Sequence, residues 1–177
     1  MGLGKKVLVL SMLAVAAVGA GAVPAAGAAP YCGIRWGSLP KTSEARTTEE
    51  IVAGRVGHHA CFDRLVFEVD GPVTPGYRVS YVDEVLSEGQ GTPVTVGGGA
   101  RLRFTVLAPT FGPLGEAHAV FFDTPDFPTL KQVAGGGSFE GQTTFAVGVR
   151  ARLPFTVTTL PGPGSHSRLV LDIAHHW

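Results

Sequence analysis

Cys61-Phe62-Asp63-Arg64-Leu65-Val66-Phe67-Glu68-Val69-Asp70-Gly71-Pro72 decides the fold, because its centre returns near the C-terminus as Arg168-Leu169-Val170-Leu171-Asp172-Ile173. Each copy begins with Arg, alternates large apolar residues with their neighbours, and turns acidic at the fifth position. That is the pattern of a half-buried strand, whose successive side chains point to opposite faces. A strand motif used twice speaks about architecture before it speaks about chemistry.

The same texture runs outward from both copies. From Ile51 onward, short segments rich in Val, Phe, Tyr and Thr are broken by Gly and Pro every several residues, which predicts an all-β, single β-sandwich-like domain with Gly/Pro-rich turns. Strands are expected at 51–56, 64–70, 77–86, 93–96, 101–108, 143–150, 152–159 and 167–174. The clearest alternation is Arg101-Leu102-Arg103-Phe104-Thr105-Val106, with Leu102, Phe104 and Val106 facing a core and Arg101, Arg103 and Thr105 facing water. Turns are expected at Asp70-Gly71-Pro72, Glu88-Gly89-Gln90-Gly91, Gly97 to Gly99 and Pro161-Gly162-Pro163-Gly164. Residues 109–142, with four prolines and the run Gly135-Gly136-Gly137, read as a long excursion holding at most one short strand or helical turn.

Ahead of this domain lies a different composition. Lys5-Lys6, the apolar run from Val7 to Val18 and the small residues Ala26-Gly27-Ala28 form the three regions of a secretory signal peptide, expected to be removed as residues 1–28. About a dozen apolar residues fall short of the ~20 that a spanning helix needs, so no stable membrane insertion is expected after cleavage. Ala29-Pro30-Tyr31 before Cys32 is not the small-residue run of a lipid acylation site. The product is expected to be secreted. Residues 29–50 read as an N-terminal arm and 51–177 as the β domain.

Cys32 and Cys61 are the only cysteines, and in an oxidising compartment such a pair is expected to form a disulfide that pins the arm. Zinc is the weaker reading for these two, since a spacing of 29 lacks CxxC geometry. The chain carries 14 basic and 14 acidic residues, and removal of Lys5 and Lys6 leaves 12 against 14. Near-neutral charge without a Lys/Arg run argues against a nucleic-acid partner.

No catalytic signature stands out. The two glycine triplets read as turns, since they lack the Lys-Ser/Thr of a phosphate loop, and the Gly-Ser pairs at 37–38, 137–138 and 164–165 lack the G-x-S-x-G frame of a hydrolase elbow. Asp83 and Glu84 are adjacent and would point to opposite faces of a strand, so they do not flank one bond. His58, His59 and Asp63, with His166, His175 and His176, offer metal ligands, but read as surface loop and tail residues. Neither cofactor nor metal is expected. The outward arginines Arg78, Arg101 and Arg103 are the candidate ligand contacts, because guanidinium grips carboxylates in a bidentate fork. Their plainer role is to keep the sheet soluble and unpaired.

Four segments together carry a family resemblance: His59-Ala60-Cys61-Phe62-Asp63-Arg64-Leu65-Val66-Phe67-Glu68, Pro75-Gly76-Tyr77-Arg78-Val79-Ser80-Tyr81-Val82, Gly135-Gly136-Gly137-Ser138-Phe139-Glu140-Gly141-Gln142-Thr143 and Arg168-Leu169-Val170-Leu171-Asp172-Ile173-Ala174-His175. The chain resembles the AMIN-like domain proteins of actinobacteria, exported β-sandwiches related to the AMIN module that targets amidases and secretin-type proteins to the cell envelope. The resemblance implies a non-catalytic module whose natural partner is peptidoglycan or another cell-wall polymer. The alternative is a protein-interaction or regulatory subunit for an envelope enzyme such as a wall hydrolase, bound through an open sheet edge. No second domain is expected after Trp177, unlike in most AMIN proteins, and the family supplies no binding residues to carry over.

Overall fold

The computed structural model describes Met1 and residues 30–177, so the expected signal peptide lies outside the described residues. Twelve strands follow in order: β1 (Lys41–Ser43), β2 (Ile51–His58), β3 (Phe62–Val69), β4 (Tyr77–Val82), β5 (Val85–Leu86), β6 (Pro93–Val94), β7 (Ala100–Val106), β8 (Val120–Asp123), β9 (Leu130–Phe139), β10 (Gln142–Val149), β11 (Phe155–Pro161) and β12 (Ser167–Ala174). Among the described residues, helix is confined to single 3-10 turns at Tyr31–Gly33 and Pro113–Gly115. Among the described residues no helix is long and apolar enough to cross a membrane.

Two antiparallel sheets form a sandwich. One has six strands in the order β1-β4-β7-β10-β9-β8, the other four in the order β11-β12-β3-β2, and β5 and β6 make a separate small hairpin. Alternation explains the layering. Leu65, Phe67 and Val69 of β3, with Leu169, Leu171 and Ile173 of β12, present one buried face; Leu102, Phe104 and Val106 of β7, with Phe145, Val147 and Val149 of β10, present the other. Phe67 bridges them, stacked on Phe145 with ring centroids 4.0 Å apart and tilted against Phe104 at 5.5 Å. Burying such rings contributes roughly 1.5–3 kcal/mol each, before the entropy of ordering them.

The two copies of the repeated motif are hydrogen-bonded neighbours, with Val66 opposite Val170, Arg64 opposite Asp172 and Arg168 opposite Glu68. The N-terminal arm is joined to the domain by the Cys32–Cys61 disulfide, with Cα atoms 6.4 Å apart. The arm is not wholly loop, since β1 pairs with β4 at the sheet edge.

Three expectations need correction. The segment 109–142 holds two strands, and β9 is the longest in the molecule among the described residues. Its glycine triplet is strand rather than turn. Thr144 pairs with Gly137 and Phe145 with Gly135, which leaves Gly136 as the extra residue of a β-bulge. Glycine is required because a Cβ on Gly135 would strike the Glu116 carbonyl and the Phe121 ring, and one on Gly136 the Thr144 side chain. Finally, the stretch 77–86 is divided into β4 and β5 by a break at Asp83-Glu84.

Candidate functional site

The expected arginine face belongs to β4 and β7. Their register sets Arg78 opposite Thr105, Ser80 opposite Arg103 and Val82 opposite Arg101, so all three arginines leave the six-stranded sheet on its outer side. Arg78 and Arg101 stand four residues apart along that ladder, about 13 Å at strand rise, and Arg78 and Arg103 are each engaged by a carboxylate of their own. The three do not form a single clamp.

Nor is the face uniformly wet. The β5–β6 hairpin folds over it, and Val85, Val94 and Val96 pack with Val82, Ala134 and Ala146 into a second small core. Arg103 is paired on this face, its guanidinium donating to Glu88 Oε1 at 3.0 Å. Glu88 also accepts from Thr144 Oγ1 at 2.6 Å and Gln142 Nε2 at 3.0 Å. Burial pushes the Glu88 carboxyl up, but these three donors outweigh it and hold its pKa below the ordinary range. Arg78 is engaged as well, donating to both carboxylate oxygens of Glu44, from Nε at 3.0 Å. Arg101 and Arg103 share the outer side, and Arg103, its side chain 42% exposed, differs from Arg101 in being paired with a carboxylate.

Arg101 makes only a long contact to the Asp83 carbonyl, at 3.4 Å, and no carboxylate partner is found for it among the described residues. It lines a polar groove of about 300 Å³ together with Tyr81, Asp83 and Arg152. The Arg152 guanidinium carbon lies 5.0 Å over the Tyr81 ring, a cation–π contact. Tyr81 itself is fixed, donating to the Leu153 carbonyl at 2.7 Å and accepting the Leu153 N–H at 3.0 Å. Burial pushes its hydroxyl pKa up to about 12, so it remains a neutral donor. Two guanidinium groups beside an aromatic ring suit an anionic ligand. Sequence reasoning missed Arg152, because the expected strand started there, whereas β11 starts at Phe155 and leaves Arg152 in a connecting loop.

The histidines are corrected more sharply. His58 ends β2, Asp63 is the second residue of β3, and His175 follows β12; their ligand atoms all lie within 4.8 Å of one another. Asp63 occupies an inward position in line with Leu65 and Phe67, and is fully buried. Its Oδ1 faces His58 Nδ1 at 2.9 Å and His175 Nε2 at 3.1 Å. Its Oδ2 accepts the Thr129 N–H at 2.6 Å, the Thr129 hydroxyl at 2.7 Å and the Leu130 N–H at 2.9 Å. Burial alone would raise the Asp63 pKa; the hydrogen bonds from His58, Leu130 and Thr129 bring it below the ordinary value instead. His175 is no tail residue, being buried and stacked on His58 at 5.3 Å.

Acyl-transfer chemistry would need a nucleophile bonded to one of these rings. Among the described residues, the hydrogen bonds of His58 and His175 side chains run to Asp63, and the nearby Thr129 hydroxyl bonds the carboxylate rather than an imidazole. His166 is likewise spent on acids, at 2.6 Å from Glu68 and 3.4 Å from Asp70.

Comparison with known families returns the AMIN-like domain over residues 49–175, from just before β2 to His175. Among curated proteins, none matches the chain.

Proposed function

The chain belongs to the AMIN-like domain family, and from that premise we propose that it is an exported, non-catalytic cell-envelope module that binds peptidoglycan or another anionic wall polymer. The observation that carries this reading is the Arg101–Arg152 groove, whose two guanidinium groups have no carboxylate partner among the described residues, Arg152 lying over the Tyr81 ring. Carboxylates of peptide stems fit such a groove through bidentate hydrogen bonds. Arg78 and Arg103 are the secondary contacts; each would exchange its internal partner, Glu44 or Glu88, for the ligand.

The test is co-sedimentation of the purified protein with insoluble peptidoglycan at low and moderate salt. Pelleting that is lost in the Arg101→Ala/Arg152→Ala variant supports the groove. Pelleting that this variant keeps retains the polymer and discards the groove, while a wild-type protein that stays in the supernatant with every wall preparation removes the reading.

A second reading is favoured by one feature of the four-stranded sheet. Its edge strands β2 and β11 run eight and seven residues, long enough to accept a strand from a partner such as an envelope hydrolase. Cross-linking in cells that returns only self-contacts would remove it.

A further inference from the structure

We propose that His58, Asp63 and His175 form a binding site for a divalent transition metal of the zinc class. The ligand set is the first argument. Two imidazole nitrogens and one carboxylate oxygen suit zinc and its neighbours in the first transition row, whereas calcium and magnesium take oxygen.

Convergence is the second. The three side chains come from β2, β3 and the end of β12, and the sheet register brings them together: His58 lies opposite Asp63 on one side, and Ile173 lies opposite it on the other, two residues before His175. Both rings turn a nitrogen toward the same carboxylate oxygen, at 2.9 and 3.1 Å. A carboxylate oxygen can accept two hydrogen bonds, and here the two nitrogens that converge on Oδ1 from separate chain segments also match, with that oxygen, three corners of a metal polyhedron.

The surroundings are the third. Three donors from Thr129 and Leu130 hold Asp63 Oδ2, which leaves Oδ1 directed between the rings, the outer-shell arrangement that orients a metal-bound carboxylate. Phe127 packs beside His58 with ring centroids 5.9 Å apart. His58 has a side chain 51% exposed while Asp63 is fully buried, so a cation has access from solvent to a buried negative charge. Three protein ligands leave at least one coordination position for water or an external donor. The bound ion would also tie the β2–β3 hairpin to the chain segment at His175, whose backbone N–H already bonds the Cys61 carbonyl at 2.9 Å.

The experiment uses tag-free protein stripped with chelator and titrated with zinc chloride by calorimetry, and with cobalt chloride by visible absorption. Wild type is expected to bind one zinc per chain and to give cobalt d–d bands that zinc abolishes. His58→Ala, at an exposed side chain, is expected to stay folded by thermal unfolding and to weaken zinc more than ~100-fold, beyond the loss of an outer-shell partner. His175→Ala should do the same. His59→Ala is the control, since that ring stacks on Phe62 at 4.6 Å and stands outside the cluster. Absence of saturable binding in folded wild type overturns the proposal, as does unchanged zinc affinity in His58→Ala or a loss confined to His59→Ala.

Discussion

Arg64 and Asp172 form a bidentate ion pair, Nε to Oδ1 at 2.7 Å and Nη2 to Oδ2 at 2.8 Å, across 108 residues of chain. They are the first position of one copy of the repeated motif and the fifth of the other. Antiparallel pairing about Val66 and Val170 exchanges these positions, so the motif is complementary to itself. The second diagonal is used differently, with Glu68 taken by Arg55 and His166 and Arg168 bonded to the Pro161 carbonyl.

Breaking this pair leaves a carboxylate with only 6% of its side chain exposed and no counter-charge. Arg64→Leu is expected to cost about 2–4 kcal/mol, near the range for a buried pair that loses one member, and Arg64→Leu/Asp172→Leu to recover much of it. Urea unfolding of the single and double variants measures both.

Opening the Cys32–Cys61 link frees a loop of 29 residues in the unfolded chain. Loop-closure entropy sets the expected loss for Cys32→Ser/Cys61→Ser at about 3–4 kcal/mol. A comparison of urea midpoints with and without reductant should show reduction affecting wild type and leaving the variant unmoved. A negligible loss would mean that the arm's other contacts hold it without the disulfide, among them β1, the Glu44–Arg78 pair and the Lys41 ammonium over the Phe155 ring, 3.9 Å from its centroid.

Glu88 carries a pH signature. Its native pKa lies below the ordinary 4.5, so it binds its proton more readily in the unfolded chain; its stabilising contribution is complete above 4.5 and is lost as pH falls through the lowered native value. Glu88→Gln is therefore expected to flatten the decline of the melting temperature on the acid side of 4.5. An unchanged acid slope would assign that decline to other carboxylates.

Arg78 separates the groove from the rest of the proposed binding face. Because Glu44 already neutralises it, Arg78→Ala is expected to reduce pelleting with peptidoglycan much less than Arg101→Ala, and Glu44→Gln to increase it. Equal effects of both arginine variants would return the function to the whole face.

The bulge in β9 sets the last expectation. Gly135→Ala places a methyl against the Glu116 carbonyl and the Phe121 ring, and overpacking of this kind costs about 1–3 kcal/mol. A denaturation midpoint equal to wild type would mean that the β8 side of the sheet yields freely.

Alternation and turn chemistry made most strands legible, and β12 coincides with its expected 167–174. β9 was not legible, because Gly135-Gly136-Gly137 has no side-chain period to read and its meaning lies in what approaches it: Phe121, Glu116 and Thr144. The arginines were visible as outward residues on β4 and β7, yet the carboxylates Glu44 and Glu88 that engage Arg78 and Arg103 were not. Arg152 carried no signal, since loop side chains acquire a direction only from what they pack against.

By itself, the amino-acid sequence determined that this protein is a sandwich of short strands, that its repeated motif buries one face, and that its family is that of the AMIN-like domains. Those properties are local, written in a two-residue period and in turn residues. Only the tertiary structure decided that His58, Asp63 and His175 meet, that Arg64 grips Asp172, and that Arg78 and Arg103 are paired with carboxylates while Arg101 lines a groove. Each of these joins residues through strand order and register, which arise when two sheets bury their faces against each other, and no stretch of chain shorter than the domain specifies that contact.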